Sequence, residues 1–312
     1  MSTPFVSVII PNYNHSRYLD QRIQSVLAQT YINFEVIILD DKSTDSSVDV
    51  INKYRDNPRV TNIVINEINS GSTFIQWNKG FNLAKGEIIW IAESDDFCEP
   101  DFLERLVNAY MIHPDSVVIY SGSQYVDSEG SYLYTETEDN LPICRFKGKE
   151  FIESKLSYGC AIWNASSAIF RKNVAISLNQ QYQDYKACGD RLFWIEMAEK
   201  GNVVYVNQKL NYFRQHQNKV SPKRFADGTS LKEEYLIHKY LCNQGYLSGP
   251  RRLFVLSLYY NKIINGTFLY PEIKSDLLKL WGFKNSANIL ILKAISRLYI
   301  YYCLYLLRKK PL

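Results

Sequence analysis

Short apolar runs alternate with amphipathic segments over the first third of the chain, and this alternation restricts the folds open to it. The predicted strands are residues 5–11, 34–39, 60–66 and 87–92. The segments between them, predicted as helices, are residues 17–29, 46–54 and 74–85, with Asp45 capping the second and Gly86 closing the third. Strands that alternate with helices of about a dozen residues are typical of βαβ units. The sequence therefore predicts an α/β fold, with a Rossmann-like, mostly parallel central sheet and flanking helices.

Three of the predicted strands end in polar or acidic residues. Residues 11–13 close the first strand, Asp40 and Asp41 follow the second, and Asp95 and Asp96 follow the fourth. Right-handed crossovers place these strand ends along one edge of the sheet, where open α/β sheets bind their ligands. Adjacent carboxylates repel each other, and a divalent cation with oxygen ligands commonly holds them together. The alternative for the last pair is a polar turn that caps the next helix, but the convergence of three strand ends favours a site.

The remainder of the chain is less regular and ends in a helical region. Strands are predicted at residues 116–121 and 202–206, a helix at 192–200, a polar excursion at 124–141, a loop entering a strand at 163–171 and a polar-aromatic loop at 211–216. From Leu231 onward the pattern is helical, with breaks at residues 245–250 and 265–271. A C-terminal helical extension is therefore expected after the α/β part.

Composition and charge exclude several classes of protein. The net charge of +4 is small and spread along the chain, and no basic region carries the aromatic pattern of a nucleic-acid surface. The sequence contains no G-x-x-x-x-G-K-[ST] loop, no G-x-G-x-x-G fingerprint and no H-E-x-x-H helix, and its four histidines argue against a multi-histidine zinc site. Six cysteines without a C-x-x-C pair are typical of reduced cytosolic thiols. The N-terminal residues do not resemble a signal peptide, so we expect a cytoplasmic protein that binds no nucleic acid.

Four motifs in a fixed order resemble those of the family 2 glycosyltransferases, which have the GT-A fold. They are VIIPNYN at residues 8–14, ILDDKSTD at residues 38–45, AKGE at residues 84–87 and ESDD at residues 93–96. The resemblance covers roughly residues 5–220, and the combination is specific although each motif alone is weak. Members of this family transfer a sugar from a nucleotide diphosphate donor with inversion of the anomeric centre, usually with Mg²⁺ or Mn²⁺. Many of them build bacterial surface polysaccharides.

The resemblance implies a domain organisation for the whole chain. A GT-A glycosyltransferase domain would occupy residues 1–225, with a nucleotide-sugar half at about 1–120 and an acceptor half at about 121–225. A C-terminal helical region would occupy residues 226–312. The Gln-x-x-Arg-Trp motif of the processive, membrane-embedded synthases is absent from the sequence, which favours an enzyme that adds a single sugar.

The resemblance also assigns roles to residues at the predicted sheet edge. Pro11 and Tyr13 would line the nucleoside pocket, with the Tyr13 ring stacked on the base, and Asp41 would accept a hydrogen bond from the base. Asp95 and Asp96 would form the D-x-D-like pair, with Asp95 toward the nucleotide sugar and Asp96 as the direct metal ligand. Because no residue separates these two aspartates, the choice of metal ligand between them stays open.

Three further residues have candidate roles, each with an alternative. Asp190 matches the catalytic base, which removes the proton of the acceptor hydroxyl, although Gly189 stands where many members have Glu; the alternative is a helix N-cap. His216 matches a histidine that closes over the metal and diphosphate in some members, and the alternative is a structural hydrogen-bonding role. Lys79 would place a positive charge near the leaving diphosphate, unless it is a solvated surface charge.

The C-terminal tail is predicted to contact a membrane surface. Residues 287–307 are strongly apolar, with Lys293 and Arg297 one helical turn apart, and residues 308–310 are basic. The uncharged part of this segment, residues 298–307, is too short for a spanning helix, which takes about 20 residues. An amphipathic helix in the membrane interface would hold the protein on the inner face of the cell membrane. The alternative is a helix packed on the domain or on a second subunit.

We therefore expect a metal-dependent, inverting glycosyltransferase of bacterial surface polysaccharide synthesis, which adds one sugar from a UDP-linked or similar donor to a glycan or lipid-linked glycan. One alternative is a sugar-nucleotide nucleotidyltransferase, a class that usually opens with a Gly-rich loop that residues 11–14 do not supply. Another is an inactive nucleotide-sugar or glycan-binding module, against which the retained Asp95, Asp96 and Asp190 argue. Residues 121–160 would shape the acceptor pocket and carry no recognised motif.

Overall fold

The computed structural model describes residues 3–135, 143–217 and 220–283, together with Ala294. Within these ranges the chain divides into two compact units. The first takes residues up to 152, residues 160–185 and residues 189–217, and the second takes residues 153–159, 186–188 and 220–283. The helix predicted at residues 287–307 lies, except for Ala294, outside the described residues, as does the end of the polar excursion at 136–142.

A ten-stranded mixed sheet forms the centre of the first unit, as far as the chain is described. The strands are β1 (Val6–Asn12), β2 (Phe34–Asp40), β3 (Val60–Ile65), β4 (Ile88–Ile91), β5 (Phe97–Cys98), β6 (Ser116–Val126), β7 (Tyr132–Thr135), β8 (Ile143–Phe146), β9 (Ala168–Arg171) and β10 (Asn202–Arg214). Their order is β3-β2-β1-β4-β9-β6-β10-β5, while β7 pairs with β6 and β8 with β10. Strands β1, β2 and β4 are buried along their whole length, as expected for parallel strands covered on both faces.

Helices flank this sheet. They are α1 (Ser16–Leu27), α2 (Ser47–Asn52), α3 (Thr73–Leu83), α4 (Phe102–Ile112), α5 (Gly148–Phe151), α6 (Lys172–Ser177) and α7 (Gly189–Glu199), with a π-helical turn at Ile152–Leu156 and 3₁₀ turns at Ala165–Ser167 and Gln181–Asp184. Helix α1 buries Leu19, Ile23 and Val26, which recur at helical spacing and pack into the core with β1 and β2. The predicted α/β class with a mostly parallel sheet and flanking helices is confirmed.

Two local predictions are wrong. The strand at residues 202–206 and the loop at 211–216 belong largely to one continuous strand, β10, because its partner β6 continues to Val126 and supplies the pairing. Gly86 does not close α3, which ends at Leu83. A Cβ atom on Gly86 would lie 2.6 Å from the carbonyl oxygen of Phe5, so this glycine permits a close approach to the chain entering β1.

The second unit is helical. Its helices are α8 (Val220–Ala226), α9 (Thr229–Asn243), α10 (Gly249–Asn265) and α11 (Pro271–Leu280), separated near the predicted breaks. Trp281 stacks on Tyr259 with ring centroids 4.3 Å apart, and its Nε1 donates a hydrogen bond to the Leu231 carbonyl at 3.1 Å. Among the described helices, none combines the length and apolar character that crossing a bilayer requires.

Candidate active site

The carboxyl ends of β1 and β2 lie side by side, with Asn12 opposite Asp40. The Nδ2 group of Asn12 donates to Asp40 at 2.8 Å, and the N–H of Asp41 donates to the Asn12 carbonyl at 2.9 Å. Asp40 is fully buried and also accepts hydrogen bonds from the N–H and Oγ of Ser43. Asp40 therefore holds the loop after β2 in place.

Asp41 lies in a cradle of uncharged hydrogen-bond donors. Its carboxylate accepts from Asn66 Nδ2 at 2.7 Å, from the N–H and Oγ of Ser70 at 2.9 and 2.8 Å, and from Gln76 Nε2 at 2.9 Å. These bonds fix the orientation of a side chain that is only 5% exposed. Lys79 contacts this group through a hydrogen bond from its Nζ to Asn66 Oδ1.

The first strand ends in two residues of opposite exposure. Pro11 is buried, whereas Tyr13 is 46% exposed, so its ring presents a face on which another ring can stack. The following residue, Asn14, has a left-handed backbone with φ of 56° and accepts a hydrogen bond from the N–H of Thr44 at 2.7 Å. This hydrogen bond connects the loops after β1 and β2 beside Tyr13.

Asp96 is enclosed by protein groups. Its carboxylate accepts hydrogen bonds from the N–H of Arg214 at 3.0 Å, from Ser166 Oγ at 2.8 Å and from Asn164 Nδ2, and the Arg22 guanidinium lies 3.8 Å away. Burial, with the neighbouring charge of Asp95, raises the pKa of Asp96 above its usual range. These bonds join Asp96 to the residues before β9 and to the end of β10.

Asp95 has a different set of neighbours and meets two histidines. His216 Nε2 lies 3.0 Å from Asp95 Oδ2, and candidate ligand atoms of His15, Asp95 and His216 all lie within 4.8 Å of one another. Burial alone would raise the pKa of Asp95, but the contact with His216 and the proximity of His15 outweigh it and lower this pKa. Asp95 is therefore an anion at neutral pH.

The two histidines have the chemistry of metal ligands. Burial lowers the pKa of His15, which favours the neutral imidazole that binds metals, and His15 Nδ1 lies 2.9 Å from Ser94 Oγ. The Nδ1 atom of His216 is buried without a hydrogen-bond partner among the described residues. Two imidazoles and one carboxylate suit Mn²⁺ and neighbouring transition metals better than Mg²⁺, which prefers oxygen ligands. The donor set fits a divalent cation.

A buried arginine and a buried carboxyl group lie behind this cluster. The Nε of Arg22 donates to the Glu93 carbonyl at 2.9 Å, and Trp77 Nε1 donates to the Glu93 carboxyl at 3.0 Å. Burial, together with the charge of Asp95, raises the pKa of Glu93 to about 8. Glu93 is therefore largely neutral at pH 7, so Asp95 carries the negative charge that faces the histidines.

Asp190 lies in the first turn of α7 and is half-buried. Its Oδ1 accepts a hydrogen bond from the N–H of Arg191 at 2.8 Å, and the Cys160 thiol lies 3.8 Å from its Oδ2. Burial raises the pKa of Asp190 to about 6. A carboxylate with this pKa is ionised at neutral pH and is more basic than an ordinary aspartate, as a general base requires.

One short segment, residues 160–167, connects these acidic groups. Cys160 at its start contacts Asp190, while Asn164 and Ser166 bond to Asp96. Within this segment, Asn164 Oδ1 accepts the N–H of Ser166 and caps the 3₁₀ turn that leads into β9. Asp96 and Asp190, far apart in sequence, thus both contact the same short segment.

The structure thus brings Asp95 into contact with His216 and links Asp96, the next residue, to Asp190 through residues 160–167. Asp41, with Lys79 nearby, occupies the separate cradle beside the end of β1. Sequence reasoning missed His15, Arg22 and Arg214, and it considered Asn164 for the acceptor side rather than as a partner of Asp96. A signal existed for two of them: His15 directly follows the polar end of the first strand, and Arg22 interrupts the apolar face of α1, which is unusual unless the charge is paired.

Comparison with known proteins identifies the family. The sequence model described as glycosyl transferase family 2 matches residues 7–174. The chain belongs to this family. It is therefore a glycosyltransferase.

Relatives in this family include proteins of polysaccharide synthesis. The putative glycosyltransferase EpsH of Bacillus subtilis (strain 168) is 32% identical over 287 residues, which cover 81% of this chain and 81% of EpsH. The putative teichuronic acid biosynthesis glycosyltransferase TuaG of the same organism is 28% identical over 243 residues, 76% of this chain and 88% of TuaG. An uncharacterized glycosyltransferase of Haemophilus influenzae is 35% identical over 133 residues, and the match spans only 52% of its length and 43% of this chain.

Two solved structures have the same fold. Staphylococcus aureus TarS 1-349 in complex with UDP-GlcNAc aligns with a TM-score of 0.69 at 16% identity, over 95% of this chain and 92% of TarS. The mannosyltransferase PcManGT from Pyrobaculum calidifontis, in complex with GDP-Man and Mn²⁺, aligns with a TM-score of 0.55 at 16% identity, over 100% of this chain and 77% of that one. The expected GT-A type of the fold, with a C-terminal helical region, is confirmed.

Proposed function

We propose that this glycosyltransferase transfers a single sugar from a nucleotide diphosphate sugar, UDP-linked, to a glycan or lipid-linked glycan, with inversion, in bacterial surface polysaccharide synthesis. The observation that carries the proposal is the connection of Asp95 and Asp96 to Asp190 through residues 160–167. It joins a cluster suited to a cation with a carboxylate suited to proton removal. Glycosyl transfer to a hydroxyl requires both.

The donor would bind at the ends of β1 and β2. Tyr13 would stack on the base, above the buried Pro11, and Asp41 would accept the N–H of a pyrimidine ring. The cradle of Asn66, Ser70 and Gln76 supports this role, because it holds the Asp41 carboxylate in one orientation. The N3–H of a uracil ring is a donor that such a fixed acceptor can accept, which is compatible with a UDP-linked donor.

A divalent cation would bind to Asp95, His216 and His15. Asp96 would stabilise the position of Asp95. Mn²⁺ fits this donor set better than Mg²⁺. A bound cation neutralises negative charge that develops on a diphosphate leaving group, which contributes several kcal/mol in metal-dependent enzymes. Asp96 remains the alternative ligand, although three hydrogen bonds already engage its oxygens.

Asp190 would take the proton of the acceptor hydroxyl. Inversion requires that the hydroxyl attack the face of the sugar opposite the leaving diphosphate, so the base and the cation must lie on opposite sides of the sugar. The half-buried carboxylate of Asp190, with a pKa of about 6, meets the electrostatic requirement. The position of Asp190 at the start of α7 fixes it through the backbone.

A donor screen followed by product analysis tests this function. Thermal unfolding would be followed with UDP-, GDP- and other nucleotide diphosphate sugars, with and without Mn²⁺; a true donor should raise the Tm by several degrees at saturation. Transfer from an α-linked donor should then give a β-linked product by NMR. A retained α-linkage would contradict inversion. Release of pyrophosphate from a nucleoside triphosphate and a sugar phosphate would instead assign a nucleotidyltransferase.

A cytoplasmic location with peripheral attachment to the inner face of the cell membrane completes the proposal. It concerns residues 287–307, nearly all of which lie outside the described residues. The full chain should sediment with phosphatidylglycerol vesicles, whereas a chain ending at Asn285 should not. Equal sedimentation of the two would contradict attachment through the tail.

A further inference from the structure

The turn of residues 93–96, between β4 and β5, carries contacts to both histidines at its two central positions. Ser94 Oγ lies 2.9 Å from His15 Nδ1. Asp95 Oδ2 lies 3.0 Å from His216 Nε2. Because both contacts start from adjacent residues of one turn, the conformation of this turn decides whether the carboxylate and the two imidazoles can meet at one cation.

Ser166 holds both ends of this turn through a single hydroxyl group. Its Oγ accepts a hydrogen bond from the N–H of Glu93 at 3.0 Å and donates one to Asp96 Oδ2 at 2.8 Å. The turn itself is closed by the N–H of Asp96, which donates to the Glu93 carbonyl at 3.3 Å. One side chain therefore connects the first and the last residue of the turn.

The direction of the hydrogen bond to Asp96 follows from the chemistry of the groups that Ser166 meets. A backbone N–H can only donate, so the hydroxyl must accept from Glu93 and has its one proton left for the carboxylate. Hydrogen bonds to an ionised carboxylate are roughly twice as strong as those between neutral groups. The hydroxyl therefore has one defined orientation and makes one strong bond to the turn.

The backbone of Ser166 is also fixed. The residue is fully buried, its carbonyl accepts the Nε1–H of Trp90 at 2.8 Å, and its N–H donates to Asn164 Oδ1 at 2.6 Å. Trp90 belongs to β4, the strand that leads into the turn. Buried polar networks whose members are all hydrogen-bonded are rigid and specify one arrangement. Ser166 is thus a fixed point against which the turn is held.

We propose that Ser166 is a positioning residue for the cation site, because it holds the turn of residues 93–96 in the conformation that presents Asp95 to the histidines. It acts through Asp96 and the Glu93 backbone, and not by contact with the cation. Substitution of a residue that orients metal-binding side chains typically costs about 10- to 100-fold in metal affinity. This inference rests on the proposed cation site, to which it adds a residue outside the ligand set.

Mn²⁺ binding to the full chain without donor, followed by electron paramagnetic resonance, tests the proposal. Ser166→Ala removes the hydroxyl, so that the Glu93 N–H loses its acceptor and Asp96 loses a donor. We expect the Kd of Mn²⁺ to rise about tenfold or more. Ser166→Cys retains a weak donor of similar shape and should raise the Kd by a smaller factor.

Ser167→Ala is the matched control. Ser167 is the next residue, is buried as well, and donates from its Oγ to the carbonyl of Asn164 at 2.8 Å. The variant removes a buried hydroxyl from the same segment but no hydrogen bond to residues 93–96, so the Kd of Mn²⁺ should stay that of the wild type. A second measurement needs no metal: the imidazole signals of both histidines in NMR should shift in Ser166→Ala and stay in place in Ser167→Ala.

An unchanged Kd of Mn²⁺ or unchanged imidazole signals in Ser166→Ala would overturn the proposal, as would an equal loss of affinity in Ser167→Ala. Thermal unfolding without metal checks the fold of each variant, and if Ser166→Ala does not fold, the comparison of Ser166→Cys with Ser167→Ala decides. A wild type that binds no Mn²⁺ would overturn the proposed cation site together with this inference. An unchanged Kd in Ser166→Ala would overturn this inference alone and leave the cation site standing.

Discussion

The two acidic groups on either side of β1 have opposite surroundings. Asp41, after β2, is held by uncharged amide, hydroxyl and backbone donors. Asp95 and Asp96, after β4, are held by an imidazole, a guanidinium and the backbone of an arginine. Similar strand ends in sequence therefore give two sites with different electrostatic character.

This difference supports separate proposed roles for the two strand ends. Neutral donors orient the Asp41 carboxylate, which suits its proposed role as the hydrogen-bond acceptor for an uncharged ring. The group around Asp95 contains three carboxyl groups, two histidines and Arg22, and its charge balance would change when a cation binds. The predictions below separate these roles, because each substitution should affect one of them more than the other.

The largest effect is expected for Asp95→Asn. Loss of the charge that faces both histidines should remove Mn²⁺ binding and lower kcat/KM by more than about a thousandfold, several kcal/mol of lost charge stabilisation. Electron paramagnetic resonance of Mn²⁺ measures the binding, and release of the nucleoside diphosphate measures the rate. Asp49→Asn, at an exposed aspartate of α2, is the control. Unchanged Mn²⁺ binding would exclude Asp95 as a ligand.

The second-largest effect is expected for Asp190→Asn. The amide cannot accept the hydroxyl proton, so kcat should fall about a hundredfold or more, while the Tm shift caused by the donor stays the same. Asp184→Asn, six residues earlier and exposed, should leave the rate unaltered. Full transfer activity in Asp190→Asn would remove this residue from the role of base.

Asp41→Asn should weaken binding of the donor more than binding of the metal. The new amide group would face the donor groups of Asn66, Ser70 and Gln76, so both the cradle and the contact to the base are disturbed. We expect the Kd of the nucleotide diphosphate sugar to rise about thirtyfold, the value of a hydrogen bond to a charged group. Calorimetric titration with and without Mn²⁺ measures it. If Asp41→Asn instead caused a large loss of Mn²⁺ affinity, the two strand ends would not have separate roles.

The pH dependence of kcat should follow the ionisation of Asp190. The base acts in its ionised form, and burial raises its pKa to about 6, so kcat should rise with pH up to that value and level off above it. Between pH 7 and pH 5 the ionised fraction falls about tenfold, and kcat should fall with it. The profile is recorded with saturating donor and Mn²⁺. A level rate across this interval would contradict the assignment.

The smallest effect is expected for His15→Ala. Removal of one imidazole should reduce the advantage of Mn²⁺ over Mg²⁺ a few-fold, because the remaining ligands include a larger share of oxygen. Competition between the two ions, followed by Mn²⁺ resonance, measures the ratio. His113→Ala, at the end of α4, serves as the control. An unaltered ratio would leave His15 outside the cation site.

The sequence predicted the parallel half of the sheet well and the remainder less well. Strands β1, β2 and β4 are continuous apolar runs, and burial on both faces requires that pattern, so Asp41, Asp95 and Asp96 could be located at the sheet edge. The polar residues 211–216 were predicted as a loop, because the composition of this stretch does not show that β6 extends far enough to pair with it. Pairing between distant strands depends on tertiary structure.

Contacts that depend on such pairing were missed for the same reason. Arg214 reaches Asp96 only because β10 continues past its predicted end and pairs with β5. Asn164 meets Asp96 only because β9 runs antiparallel beside β4. In contrast, Asp190 was assigned from its match to the base position of the resembled family, and it lies in the first turn of α7.

The reversed direction of β9 has a consequence for how such an enzyme can diversify. Since β9 runs against β4 and β6, it begins near the end of β4 and beside Tyr120 of β6, and its last residue, Arg171, bonds to the carbonyl of Ser116 where β6 begins. Changes to the eight residues that lead into β9 therefore fall beside Asp96 and Asp190, whereas insertions after β9 fall at the opposite end of that strand. Under the proposed function, exchange of this segment would change the surroundings of the acceptor while the strands proposed to bind the donor stay in place.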